Sequence, residues 1–337
     1  MKASEIIYDN DWIIKCKSVN FMSYPPRIET TEYASFNTIR CKHSRLWFVN
    51  NEKLEESILA YTAKYVSTYK VVLYALAIEG NHIHDLSEFP ALNRSDFMRD
   101  RNSVIGKLVP KYNLKHDGGG TFERRYSAEL VPKHVDDIED RFFYTVLQPI
   151  QDGLVQRLSD YPLYNCFHDA IWGLKRKFKV TDWTNYNRAR RSNPGIAIKL
   201  FQTEYVLEYE RIPGYEHLSQ RQYALLMQKK YEERRIRIVE KRLSGGKGFL
   251  GPERLKQILS GSIPSTTKKS ERYSYRPRVL SVCPERRGMG KEFYFSNYEM
   301  FKYASDKFRK GDLLFEFPSG MYRPSCRPPP VMTLITA

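Results

Sequence analysis

Residues 71–89 read VVLYALAIEGNHIHDLSEF, and how this stretch divides decides the fold. Val71 to Ile78 is an almost unbroken apolar, β-favouring run, the pattern of a central strand buried on both faces. Gly80 and Asn81 break that pattern, and His82 to Phe89 is suited to pair back beside the first run, so the segment reads as a hairpin. Strand alternation then puts His82 and His84 on one face, while Ile83 points into the core. Upstream, the segment from Glu52 to Tyr69 carries Leu54, Ile58, Tyr61 and Tyr65 at steps of four, three and four, the stripe of an amphipathic helix. Downstream, Asn93 to Asn113 reads as a basic helix with Asn93 or Ser95 as its cap and Pro110 near its end. Gly118, Gly119 and Gly120 turn the chain. A further helix then fits Val135 to about Leu147, opened by Asp136, Asp137 and Glu139, which suit the positive end of a helix dipole. Helix, strand pair, helix, helix is an α+β order.

The whole chain has 337 residues, enough for a catalytic domain with an extension. Its 55 Lys and Arg outnumber 39 Asp and Glu, a formal charge of +16 that favours polyanionic partners and nucleic acid above all. A membrane-spanning role is excluded by the lack of any apolar run near the ~18 residues required. The first residues, MKASEIIYDNDW, lack a secretory layout, so a cytoplasmic, nucleoid-associated protein is expected. Five widely spaced cysteines with no C-x-x-C pair are read as reduced thiols. Past residue 170 the character changes. LKRKFKVTDWTNYNRARRSNP (174–194) holds seven Lys/Arg, one Asp and three aromatic residues, a mix suited to phosphate contacts with bases stacked between. Residues 196–212 read as strand, 221–243 as a long basic helix, 244–278 as a linker enclosing a short helix, and the tail from Phe317 as irregular. The division expected is a domain over 1–170 and a basic, DNA-binding region over 171–337.

The chemistry sits on two pieces. His82 and His84 are one residue apart on a strand face, within reach of a single cation. Tyr144 and Gln148, four apart on a helix, share a face, so a phenolic hydroxyl lies one turn from an amide oxygen that completes a His/His/Gln set. Such a set suits Mg²⁺ or Mn²⁺, although imidazole also suits zinc. A phenol with a pKa near 10 is a poor nucleophile but a good leaving group later, which favours strand transfer over hydrolysis. The absence of a carboxylate to act as base argues against a water-using nuclease. Pro149, by contrast, is expected to push Gln148 away from helical angles.

EGNHIHDL resembles the Asn-His-hydrophobe-His signature of the HUH single-tyrosine transposases. FYTVLQPIQDGLVQRLSDYP (143–162) resembles the tyrosine helix and following loop of their REP-associated branch. FMRDRNSVIGKLVPKYN (97–113) and GTFERRYSAELV (120–131) resemble the basic helix and the aromatic-x-x-x-Tyr segment between them. The likeness covers roughly residues 30–170. It implies a ferredoxin-like or RRM-like antiparallel sheet with helices on one side, His82 and His84 as metal ligands, Gln148 in the third-ligand position, and Tyr144 as nucleophile. It also implies single-stranded or hairpin DNA as substrate, cut to a 5′-phosphotyrosine and a 3′-hydroxyl. Three positions depart from the pattern: Gln148 stands where REP-associated members commonly have Asn, Asp85 where an aliphatic residue follows the second His, and Phe122 where a Trp is frequent. Asp85 is expected to face away from the metal.

Arg99, Arg101 and Lys107 on the basic helix, with Arg124, Arg125 and Tyr126 after the glycine turn, are the candidate DNA contacts. A second copy of the chain, as in a homodimer, stays open as a partner. The rival reading is a non-catalytic RRM-like nucleic-acid-binding protein that retains an idle site.

Overall fold

The structure, a computed structural model, describes residues 26–123, 125–264 and 278–324. Its centre is a four-stranded sheet made by β1 (Tyr33–Arg40), β2 (Val72–Ile78), β3 (His82–Glu88) and β4 (Ser127–Pro132), in the order β2-β3-β1-β4 with every neighbouring pair antiparallel. Helix α1 (Glu52–Tyr69) joins β1 to β2 and helix α2 (Arg94–Tyr112) joins β3 to β4. This is the interlocked pair of split β-α-β units that defines the ferredoxin-like arrangement. An α+β fold is therefore present, with the basic extension folded onto it.

Local chemistry explains the boundaries of α1. The Asn51 side chain accepts from Leu54 N–H at 3.1 Å, and the left-handed Lys70 (φ 51°) ends the helix. Leu54, Ile58, Thr62 and Ala63 are buried, whereas Tyr61 and Tyr65 are only half-buried. Against α1 pack two strands of the extension, β5 (Arg176–Thr181) and β6 (Gln202–Leu207), so the helix is covered on more than one face.

The parity of β3 sorts the two sides of the sheet. Asp85 and Ser87, with Ser35 and Asn37 of β1, face α2. There the Asp85 carboxylate accepts from Asn37 Nδ2 (2.7 Å), Ser87 Oγ (2.9 Å) and Arg101 NH1 (2.8 Å). Both members of the Asp85–Arg101 pair have fully buried side chains, so Arg101 is a core residue and no DNA contact. The opposite face holds His84, Phe36 and Thr38. It is covered by α3 (Val135–Gln151), a helix additional to the two of the repeat.

The apolar run at 72–78 is the outermost strand of the sheet and not a central one. It is buried because downstream chain covers its edge. Ile78 N–H donates to Tyr164 O (3.0 Å), Cys166 N–H to Leu76 O (3.0 Å) and Glu210 N–H to Leu73 O (2.8 Å). The other edge, β4, is met by residues 278–280, with a parallel bridge between Leu130 and Val279.

Beyond α4 (Phe167–Trp172), an exposed helix α5 (Trp183–Ser192) lies between β5 and β6, and a short 3-10 turn occupies Ile198–Phe201, where strand was expected. Helix α6 (Gln220–Ser244) opens with a Ser219/Gln222 capping box, and α7 (Pro252–Lys256) is the short helix of the linker. Residues 265–277 of that linker lie outside the described residues. Helix α8 (Pro284–Arg309) was not foreseen. The main buried cluster runs from Ala34 to Leu255, and residues after 170 such as Leu207, Tyr223 and Met227 contribute to it.

Arg101→Leu strands the Asp85 charge in the core and is expected to cost about 3–5 kcal/mol in chemical denaturation. The double change Asp85→Leu/Arg101→Leu is expected to recover much of that loss. A double variant as unstable as the sum of the two singles would show that the pair is not coupled.

Candidate active site

The turn at Gly80 and Asn81 presents His82 at the very start of β3. Asn81 Nδ2 donates to Ser44 O (2.9 Å), which fixes the amide and turns its oxygen toward His82 Nδ1 at 2.7 Å. An amide oxygen only accepts, so His82 carries its proton on Nδ1 and its lone pair on Nε2. Two residues on, His84 Nδ1 lies 2.8 Å from Thr38 Oγ1, and its ring stacks on Phe36 with centroids 5.2 Å apart. The two imidazoles meet edge to face at a centroid distance of 4.6 Å. Burial, reinforced by Arg40, pushes the His84 pKa down to about 3, against a smaller upward pull from Asp152. That ring is therefore neutral across the physiological range, as a metal ligand must be.

Helix α3 brings Tyr144 to the same place. Its ring centroid is 6.3 Å from that of His84 and 5.7 Å from that of Phe36, and the Arg141 guanidinium lies 4.7 Å from its centre. One turn on, Gln148 is buried. The helix runs straight through Pro149 to Gln151, so the proline does not swing Gln148 out of line. Gln148 Nε2 donates to Asp152 Oδ2 at 3.0 Å, and a flipped amide would set its oxygen against that carboxylate. The orientation is thus fixed, and Gln148 Oε1 is left buried without a hydrogen-bond partner. An orphaned amide oxygen one helical turn from Tyr144, whose ring lies against His84, is of a donor type that, with two imidazoles, fits a divalent cation. Among the described residues no group of three or more His, Cys, Asp or Glu is placed to hold a metal, so a cation here depends on the amide.

Glu79, just before the turn, is a buried carboxyl that sequence reasoning passed over. Its Oε2 accepts from Tyr161 Oη at 2.8 Å, its Oε1 has no partner, and burial raises its pKa to about 8. Thr38, Asn81, Arg141 and Asp152 were missed as well. Their sequence signals are, for Asn81, its place as the Asn of the Asn-His-x-His signature, and, for Arg141 and Asp152, helical steps of three and four from Tyr144 and Gln148.

The candidate DNA contacts divide. Arg99 and Lys107 are exposed on α2, across the sheet from Tyr144, and Arg99 is engaged by Asp96 and Asp100. Arg125 is exposed, whereas Arg124 lies outside the described residues. Tyr126 is buried, and the Arg27 guanidinium sits 3.7 Å from its ring centre. An Arg already lies on that ring, so Tyr126 does not present an open stacking surface to a base.

No protein-family profile matches the chain, and no curated protein does. Among solved structures it is similar to a REP-associated tyrosine transposase bound to a REP hairpin, at 17% identity, over 44% of this chain and 84% of that one, with a TM-score of 0.37. A superposition that loose carries no chemistry, which rests on the side chains just described. Among the described residues no helix is long and apolar enough to cross a membrane.

Glu79→Gln keeps an oxygen for Tyr161 while removing the ionisable group. The wild-type carboxyl titrates at about 8, above the ordinary carboxylate range, so its stabilising contribution is complete below that range and is lost as pH rises toward 8. Thermal melts are therefore expected to favour the variant increasingly from about pH 5 to about pH 8, with no further divergence above. A constant difference across that window would sink the assignment.

Proposed function

We propose that this chain is a metal-dependent single-tyrosine nickase and strand transferase acting on single-stranded or hairpin DNA. The observation that supports it best is that Tyr144, from a separate helix, meets the His82–His84 pair on one side of the sheet, with the unpartnered Gln148 oxygen one turn further along that helix. The sequence resemblance to HUH transposases over residues 30–170 names the same four residues.

In this reading, Tyr144 Oη attacks a backbone phosphorus as the bond from phosphorus to the 3′-oxygen breaks. The phenol loses one proton and the departing 3′-oxygen gains one, so the step is balanced and needs no oxidant or external energy. His82, His84 and Gln148 would hold a Mg²⁺ or Mn²⁺ ion. Such an ion, when bound, offsets charge on the phosphate oxygens in the crowded transition state. Arg141, over the Tyr144 ring and held by Asp140, limits how that ring turns. Asn81 and Thr38 set the direction of the imidazoles, and Asp152 sets that of the amide. Rejoining is the reverse: a 3′-hydroxyl attacks the phosphotyrosine and the phenol leaves.

Incubation of the protein with a hairpin-bearing single strand and Mn²⁺ is expected to yield a covalent adduct on Tyr144, detected by mass spectrometry. Tyr144→Phe should bind the strand as tightly as wild type while adduct and cleavage fall by about a thousandfold or more. Wild-type protein that binds the strand but forms no adduct would leave the chain a non-catalytic nucleic-acid binder.

A further inference from the structure

Residues 278–291 return from the far end of the chain to the flank of Tyr144. Leu130 N–H donates to Arg278 O (3.1 Å) and Leu280 N–H to Leu130 O (2.8 Å), so this segment is docked on the edge of β4. Buried Asp137, in the first turn of α3, accepts from Val282 N–H (2.7 Å) and from Arg286 Nε (2.6 Å). Gly290 permits the close approach of α8, since a Cβ there would sit 2.6 Å from Val279 Cγ1. The start of α8 is thereby tied to both the sheet edge and the helix that carries Tyr144.

Between these elements is a cavity of about 400 Å³ whose lining includes Arg141, Arg278, Arg287 and Lys291. Two of the four cations are answered: Arg141 by Asp140, and Arg278 by Glu129 Oε1 at 3.2 Å. Burial raises the Glu129 carboxyl above its ordinary range, against the opposing pull of Arg278. Among the described residues, Arg287 donates to the Ser281 carbonyl alone, at 2.7 Å, and Lys291 has no ion pair. Arg287 and Lys291 are four apart on α8 and so share one face. Among the described residues that line the space none is aromatic. Arg141 is the common wall, with one side on the cavity and its guanidinium 4.7 Å from the Tyr144 ring centre.

We infer that this cavity is a phosphate-binding subsite, built by Arg141, Arg278, Arg287 and Lys291, which grips the backbone of the DNA strand beside the phosphate that Tyr144 attacks. The inference rests on the proposed function for the identity of the strand. It adds a second anchoring point, three of whose four cations lie outside the region of family resemblance. Two anchored phosphates fix the strand's direction across the site, which one cation cannot do.

The test is fluorescence anisotropy of a labelled hairpin with a single-stranded flank, titrated in EDTA over a range of KCl, so that no metal contributes. Arg287→Ala/Lys291→Ala is compared with wild type and with Lys302→Ala/Lys310→Ala, an equal loss of charge at the far end of the same helix. The pocket pair is expected to weaken binding about tenfold near 0.1 M salt, and to reduce the slope of log K against log salt by roughly 1.4, two single-strand phosphate contacts. The control pair is expected to stay close to wild type in both. A pocket pair indistinguishable from the control overturns the inference. The adduct assay, run in parallel on wild type, separates the two claims. An adduct with an unchanged salt slope removes the subsite alone, whereas a reduced slope without an adduct removes the nickase and leaves the phosphate site standing.

Discussion

The buried pair between Asp85 and Arg101 decides which side of the sheet the histidines occupy. In a strand, one residue of slip reverses every side chain. Asp85 has three donors waiting on the α2 side, from Asn37, Ser87 and Arg101. Moving it to the other face would leave a guanidinium without its anion in the core, a cost of several kcal/mol. His82 and His84 are therefore committed to the α3 side, where Phe36 stacks on one ring and Tyr144 meets it edge-on. A residue that looks like a defect in the Asn-His-x-His pattern acts as its register pin.

Much of this was legible in the sequence because it is local. The steps in 52–69, the break at Gly80 and Asn81 and the parity of His82 and His84 depend on neighbouring residues, and the elements formed within a residue or two of where they were read. The tyrosine helix was read four residues short, because a proline in the last turn costs little when the following chain folds back. Leu154 N–H donates to Pro149 O, and Asp152 N–H to Gln148 O. Strands β1 and β4 carried too weak an alternation to be seen, and their pairing comes from tertiary contact. The edge position of β2 was hidden for a related reason. An edge strand covered on all sides has the composition of a central one.

That covering is where the extension earns its place in the fold. Residues 164–166 and 210 close one edge of the sheet and 278–280 meet the other, so neither outer strand is left as an open template for pairing. Long-range closure of this kind leaves no periodic trace in the sequence, and α8 went unread for the same reason. Charge counting over 171–337 pointed to nucleic acid but could not say which cations face the site. Arg99 and Lys107 drew attention as part of a basic helix, yet they lie across the sheet from Tyr144. Arg287 and Lys291 drew none, and the fold carries them to its flank.

The donor set and the surrounding charge make sense together. In the proposed reading, two imidazoles and an amide oxygen would bring no negative charge to a cation, so its positive charge would remain for phosphate oxygens. A carboxylate in the third position would cancel part of it. Here the carboxylate is one step back, at Asp152, where it orients the Gln148 amide by accepting from its nitrogen and leaves the oxygen for the site. Glu79 is kept by burial on the protonated side up to about pH 8, so it adds little negative charge nearby at neutral pH. Arg141, paired with Asp140, lies directly against the Tyr144 ring. In the proposed reading, a phenol beside a ligand set without carboxylates suits capture of a phosphodiester and its transfer to an oxygen already in the protein. A hydrolase would need a base to activate water. The buried carboxyl just before the turn, Glu79, has its Oε2 tied to Tyr161, and Asp152 is held by Gln148, which accords with the transfer chemistry proposed above.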